Sequence, residues 1–345
     1  MKKGCYSALV TPFDSDLLID RVGLEKLVAF QIENGITGIL AVGTTGESPT
    51  LNWDEHHTVI NAVTSQVKGH CCCIAGTGSN NTKEALSATE HAASIGVDAV
   101  LLVDPYYNGP SSVEIRKEYI APVAKQFPEL DMIPYVIPGR TGAQLLPEDI
   151  AILAQQYSNV RTVKEATGNL ANMQRTRECC GEDFDIFSGD DAMTFTMMTD
   201  PGIKAAGVIS VLSNVIPRAM SQFVSCLEQD DLDEAKKLKN ALDPLFQLVT
   251  VKTTESTPFG DVAARARNPL GVKTLMAILG MPGGACRRPL GRMTINGFEY
   301  VLEVARKVQH ETPEIFQPIE QFFNVDIAAR LKNQSAWQEL YYDTY

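Results

Sequence analysis

Val160-Arg-Thr-Val-Lys164-Glu-Ala-Thr-Gly168 is the stretch on which the fold reading turns. A β-branched run of strand length carries Lys164 near its carboxyl end, and a Thr-Gly-Asn turn leads into a helical pattern from Leu170. A lysine is almost never buried without a partner. Desolvation favours its neutral amine, which attacks carbonyls and forms Schiff bases. The stretch alone also admits a plain reading, in which Lys164 pairs with Glu165 or another acid at the rim of a sheet. The rest of the chain decides between the two.

Outward from this stretch, apolar runs of strand length recur at 5–10, 36–42, 70–75, 99–103, 132–137, 160–163, 185–187 and 207–211. Amphipathic stretches such as 22–33, 55–67, 83–94, 113–127, 147–157 and 170–179 lie between them. The repeat of roughly 22 to 33 residues accommodates one strand, one helix and two short loops. Eight such units predict an α/β fold, a closed (β/α)8 TIM barrel over residues 1–217. A doubly wound open sheet competes, but it usually shows a glycine-rich dinucleotide loop after its first strand. Here Thr11-Pro-Phe-Asp14 follows instead. Beyond Pro217 the strand signal stops and helices are expected over 218–229, 232–249, 271–279 and 295–309, a C-terminal helical extension spanning 218–310. Thr253 to Gly260 reads as a loop by composition. The tail, 311–345, is polar with scattered aromatics, and its order is left open.

The 345 residues suffice for a large core, and the formal charge of −12 argues against a nucleic-acid or anionic-membrane partner. No run approaches membrane-helix length, and Met1-Lys-Lys-Gly-Cys5 meets a strand-like stretch at once, so no signal peptide and a cytoplasmic location are expected. Of eight cysteines, Cys71-Cys72-Cys73 and Cys179-Cys180 are consecutive and lack the CxxC spacing of a zinc site. Reduced, mostly buried thiols and no metal site are expected.

In a barrel, chemistry sits at the carboxyl ends of the strands. Those ends carry Gly43-Thr44-Thr45-Gly46-Glu47-Ser48, Asp104-Pro-Tyr106-Tyr107-Asn108, Tyr135-Val-Ile-Pro138-Gly-Arg140-Thr-Gly142 and Ser188-Gly189-Asp190-Asp191. The first suits a small anion, through close backbone amides and hydroxyls. Each has an ordinary explanation when taken singly. Convergence of hydroxyls, tyrosines, an arginine and a lysine at one barrel end favours chemistry at Lys164.

These motifs, with Val163-Lys-Glu-Ala-Thr-Gly-Asn169 and Gly207-Val-Ile209-Ser210, resemble the Schiff-base aldolases of the dihydrodipicolinate synthase and N-acetylneuraminate lyase family, over roughly residues 4 to 300. The resemblance implies that Lys164 forms an imine with pyruvate and that Tyr135 relays protons. Thr44 bridges Tyr135 to Tyr107, which in this family enters a neighbouring subunit's site. The resemblance assigns Thr45, with Thr44, to the pyruvate carboxylate, Gly189 and Ile209 to the substrate pocket, and Arg140 to the carboxylate of aspartate semialdehyde. It implies a homotetramer built from tight dimers and no metal or organic cofactor. The Thr44-Thr45 pair and Arg140 favour the synthase branch, with a neuraminate lyase or another 2-keto-acid aldolase as the alternative. A barrel that only binds a keto acid is the reading from a different class, and the complete lysine, tyrosine and threonine set argues against it.

The resemblance also implies a feedback site for L-lysine at Ser48, Trp53, His56, Asn80, Glu84 and Tyr106; ordinary interface residues are the plainer explanation. Four features depart from the family pattern. Val136 replaces a usual Asn and should face away from Tyr135, Pro49 stands where a small residue is common, 253–267 looks like an insertion, and the tail 311–345 exceeds the family's usual end.

Overall fold

β1 (Gly4–Ala8), β2 (Gly38–Ala41), β3 (Cys72–Gly76), β4 (Ala99–Val103), β5 (Asp131–Val136), β6 (Thr162–Glu165), β7 (Asp185–Ser188) and β8 (Gly207–Ser210) follow one another around a closed barrel. All neighbours are parallel, and β8 returns to β1. The structure, a computed structural model, describes residues 1–333 and 337–345. The architecture is the (β/α)8 barrel implied by the repeat.

Strand alternation divides the side chains between two layers. In β5, Ile133 and Tyr135 join Leu40, Ile74, Leu101, Phe187 and Ile209 inside the barrel. Met132 and Val136 join the larger apolar layer between sheet and helices. Val136 therefore packs on the face opposite Tyr135, as alternation requires. Lower in the barrel the Tyr6 ring meets Phe187 edge-on at 5.3 Å, and its hydroxyl donates to the Lys2 carbonyl.

The helices begin where local chemistry starts them. Trp53–Val67 opens with a capping box between Asn52 and Glu55, and it buries Val59, Ile60, Val63 and Val67. Leu170–Cys180 is capped by Asn169, whose side chain accepts from the Asn172 amide. Pro217–Glu228 packs against β1, and Leu232–Phe246 packs against both it and Ile295–Glu311.

Two expectations are corrected. The segment read as a loop is an antiparallel hairpin, β9 (Thr250–Thr257) and β10 (Gly260–Arg267), joined by Pro258 and Phe259. Its Thr-rich composition suits a strand as well as a turn, and Val251, Thr253 and Glu255 alternate onto one face. The thiols are less buried than expected: Cys5, Cys73 and Cys286 are buried, and the other five are half-buried, with no disulfide among them. Cys72 and Cys73 alternate to the two faces of β3, whereas Cys179 and Cys180 end the helix Leu170–Cys180 and only Cys180 packs against the core.

The described part of the tail is ordered. Helices Gln317–Phe323 and Ile327–Arg330 follow residue 311, and Phe316, Ile319, Ile327 and Trp337 are buried. Phe322 and Phe323 place their rings 5.3 and 5.1 Å from Phe30, on helix Arg21–Glu33. The remainder of the tail expectation, 334–336, lies outside the described residues. No helix among those described is long and apolar enough to cross a membrane.

Candidate active site

Lys164 stands in the middle of the barrel wall. Val163 and Glu165 face the helices, whereas Lys164 points inward and is only 4% exposed. Glu165 is held elsewhere: its carboxylate accepts from the Thr167 amide and from Nδ2 of Asn172 on helix Leu170–Cys180. The ion pair Lys164–Glu165 is thus ruled out by strand alternation. Burial lowers the Lys164 pKa to about 7, opposed by the nearby negative charge of Asp191 and reinforced by the guanidinium of Arg140.

Tyr135 is the register partner of Lys164 across β5 and β6, and the amine lies 4.4 Å from its ring centroid. Burial pushes the phenol up to about 12, against the Arg140 charge and a hydrogen bond with the Thr44 side chain. A phenol so placed stays protonated at neutral pH, able to donate or pass a proton. Gly189 closes the other side of Lys164. A Cβ there would stand 2.8 Å from the Ala166 Cβ and 3.3 Å from Lys164 Cε, so glycine is what admits the lysine stem. Ile209 is buried inside the barrel.

Thr44, Tyr135, Arg140 and Thr141 line one cavity of about 230 Å³, whose rim carries Ser48, Pro49 and Tyr106. Arg140 lies on the short helix Pro138–Thr141 and donates to the Asn268 carbonyl at 3.1 Å. Its rim position leaves it exposed, yet the surrounding protein still desolvates the guanidinium enough to lower its pKa. Thr45 is buried, and its hydroxyl accepts from Nδ2 of Asn268 at 2.9 Å. Tyr107 is 94% exposed, has φ +80° and does not line this cavity.

The residues grouped by resemblance for lysine fall into smaller contacts. The Trp53 and His56 rings meet at a tilt of 47° with centroids 4.7 Å apart, and His56 Nε2 is 3.3 Å from the Ser48 hydroxyl. The Tyr106 amide donates to Asn80 Oδ1 at 2.6 Å. Glu84, exposed, accepts from the Ser79 hydroxyl and contacts none of the others by hydrogen bond.

Several positioning groups escaped the sequence reading. Glu47 is buried at φ +58° in the hydroxyl loop and pairs with Lys273 Nζ at 2.7 Å, both fully enclosed. Lys273 also donates to the carbonyls of Thr11 and Ala285, and Glu47 accepts from the Arg287 amide. This clamp fixes the loop that presents Thr44 and Thr45. The available signal was a lone lysine within the apolar helix Leu270–Leu279. Asp191, within a motif but given no role, accepts from the Val211 and Leu212 amides, and burial raises it to about 6.

The family model described as the dihydrodipicolinate synthetase family matches residues 1–309. A 4-hydroxy-tetrahydrodipicolinate synthase of Trichlorobacter lovleyi is 43% identical over 294 residues, covering 85% of this chain and 94% of its own. The structure of the 4-hydroxy-tetrahydrodipicolinate synthase of Methylacidiphilum fumariolicum superposes with TM-score 0.83 at 34% identity, covering 92% of this chain and 99% of its own. A dihydrodipicolinate synthase of Cyanidioschyzon merolae, solved with lysine bound, gives 0.79 at 34% identity, covering 89% and 98%. The chain belongs to the dihydrodipicolinate synthetase family.

Proposed function

We propose that the chain is a lyase that condenses pyruvate with L-aspartate 4-semialdehyde to 4-hydroxy-tetrahydrodipicolinate, through an imine at Lys164. The observation that carries this reading is the buried Lys164 amine, lowered to about 7 and flanked by Tyr135 within a family of synthases. The neutral amine adds to the keto carbon of pyruvate and water leaves, forming the imine. Loss of a methyl proton gives an enamine, whose carbon attacks the aldehyde to make the new carbon–carbon bond. The acceptor's own amino group then displaces Lys164 and closes the ring. Tyr135, hydrogen-bonded to Thr44, moves the protons these steps require. Arg140 receives the acceptor carboxylate as a planar fork. The imine supplies the electron sink, so the route uses no metal or organic cofactor.

Tyr107 belongs to the same reading as a donor into a neighbouring subunit's site, its exposure and left-handed backbone setting it away from its own cavity. The arrangement inherited by resemblance is a homotetramer of tight dimers. L-lysine is an effector in this reading, supported by the Cyanidioschyzon merolae relative solved with lysine bound and by the Ser48, Trp53 and His56 contacts. A lysine-biosynthetic role in the cytoplasm follows.

Coupling the purified chain to a dihydrodipicolinate reductase tests the reaction. Turnover requiring both pyruvate and aspartate semialdehyde is expected. Absence of turnover with cleavage of N-acetylneuraminate would move the chain to the lyase branch.

A further inference from the structure

The β9–β10 hairpin carries its positive charge on one face. Register places Lys252 opposite Arg265 and Thr250 opposite Arg267, and the two-residue period puts all four on the same side. The other side holds the hairpin down. Val251 and Glu255 are buried there, and Glu255 accepts from the Thr253 hydroxyl and from Nδ2 of Asn296 on helix Ile295–Glu311. The charged face walls a second cavity, about 540 Å³, at the mouth of the barrel. This cavity shares Ile137 and Arg140 with the Thr44 cavity, and it reaches Ala166, next to Glu165 and Lys164.

Lys252 and Arg265 are exposed and, among the described residues, their side chains make neither an ion pair nor a hydrogen bond. Among the described residues the Arg267 side chain donates only to the Gly139 carbonyl, and the Arg140 side chain only to that of Asn268. Among the described residues, Asp190 is the one acidic residue lining the cavity. Like charges directly opposite on a hairpin are destabilising, and here they gather in a chain of net charge −12. Arg265 and Arg267 lie near enough to lower the Arg140 pKa, after burial and against Tyr135. Packing gives no reason for such a cluster, whereas an anion held within it would relieve the repulsion.

We propose that Lys252 and Arg265, with Arg267 behind them, complete the second-substrate subsite: they hold the acceptor's carboxylate together with Arg140 and so select aldehydes that bear one. This deepens the condensation reading above and rests on it. Guanidinium groups match a carboxylate as planar forks, Lys252 adds a point charge, and the attraction weakens with salt.

Calorimetric titration of the full chain with glutarate, an unreactive dicarboxylate, tests the subsite without turnover. Binding that weakens with added salt is expected, with a loss of roughly ten-fold or more in the Lys252→Ala/Arg265→Ala variant. In the coupled assay the same variant should raise the KM for aspartate semialdehyde by a similar factor and leave the KM for pyruvate unchanged. Both side chains are exposed and unbonded, and their removal relieves a like-charge pair, so the variant should melt no lower than the parent. Equal glutarate affinity in the two proteins, or no binding to the parent, overturns the hairpin subsite whether or not the chain turns over. Failure of the parent itself to trap pyruvate at Lys164 counts instead against the condensation reading.

Discussion

Tyr135 and Lys164 are direct register partners on adjacent strands, which sets the amine 4.4 Å from the centre of the phenol ring inside a barrel that excludes water from both. The geometry supplies a nucleophile and a proton carrier from two neighbouring strands of one rigid wall. Its consequences for pH, substrate choice, stability and regulation can be measured separately.

The rate of imine formation should rise with pH and level off above about 7, because the neutral amine is the attacking form. Stability follows the same group. Its native pKa lies below the value of about 10.4 in an unfolded chain, so between the two the unfolded chain binds more protons and stability rises with pH. Below pH 7 the folded chain bears the full cost of the buried charge. Lys164→Met should therefore raise the thermal midpoint most at pH 6 and least near pH 10; a pH-independent difference would contradict the assigned shift.

Arg140→Ala should spare the pyruvate adduct and raise the KM for aspartate semialdehyde by roughly ten- to hundred-fold, the range for losing a charge-assisted carboxylate contact. Steady-state kinetics with each substrate varied in turn separates the effects. Unchanged aldehyde kinetics would remove Arg140 from acceptor binding.

The Lys273–Glu47 pair should be expensive to break. Lys273→Met leaves the Glu47 carboxylate buried without its partner, at a cost of about 3–5 kcal/mol in denaturant unfolding. Lys273→Met combined with Glu47→Gln should recover part of that loss. A single variant as stable as the parent would show that the clamp does not hold the hydroxyl loop.

Millimolar L-lysine should depress initial rates and release or absorb heat on binding. Glu84→Gln should weaken both effects, since its carboxylate is the group suited to the ligand's ammonium. Unchanged rates together with no heat would sink the effector site.

The barrel and its catalytic end were legible because strand period and residue type coincide. An inward lysine in a β-branched run, and hydroxyl or aromatic residues at strand ends, need no distant partner to be noticed. Lys273 is the same kind of anomaly in a helix, but its partner Glu47 lies 226 positions away, so nothing local identified the pair. The hairpin was missed for a related reason. Thr253 to Thr257 can be loop or strand, and only pairing with Gly260–Arg267 chooses. Tyr107 shows the remaining limit, since an exposed tyrosine at φ +80° takes its proposed role from a second chain.

Borohydride reduction in the presence of pyruvate, followed by peptide mapping, tests the imine most directly. The account predicts one reduced pyruvyl group per chain, located at Lys164 and absent from Lys164→Ala. No adduct, or one that persists in that variant, would contradict it.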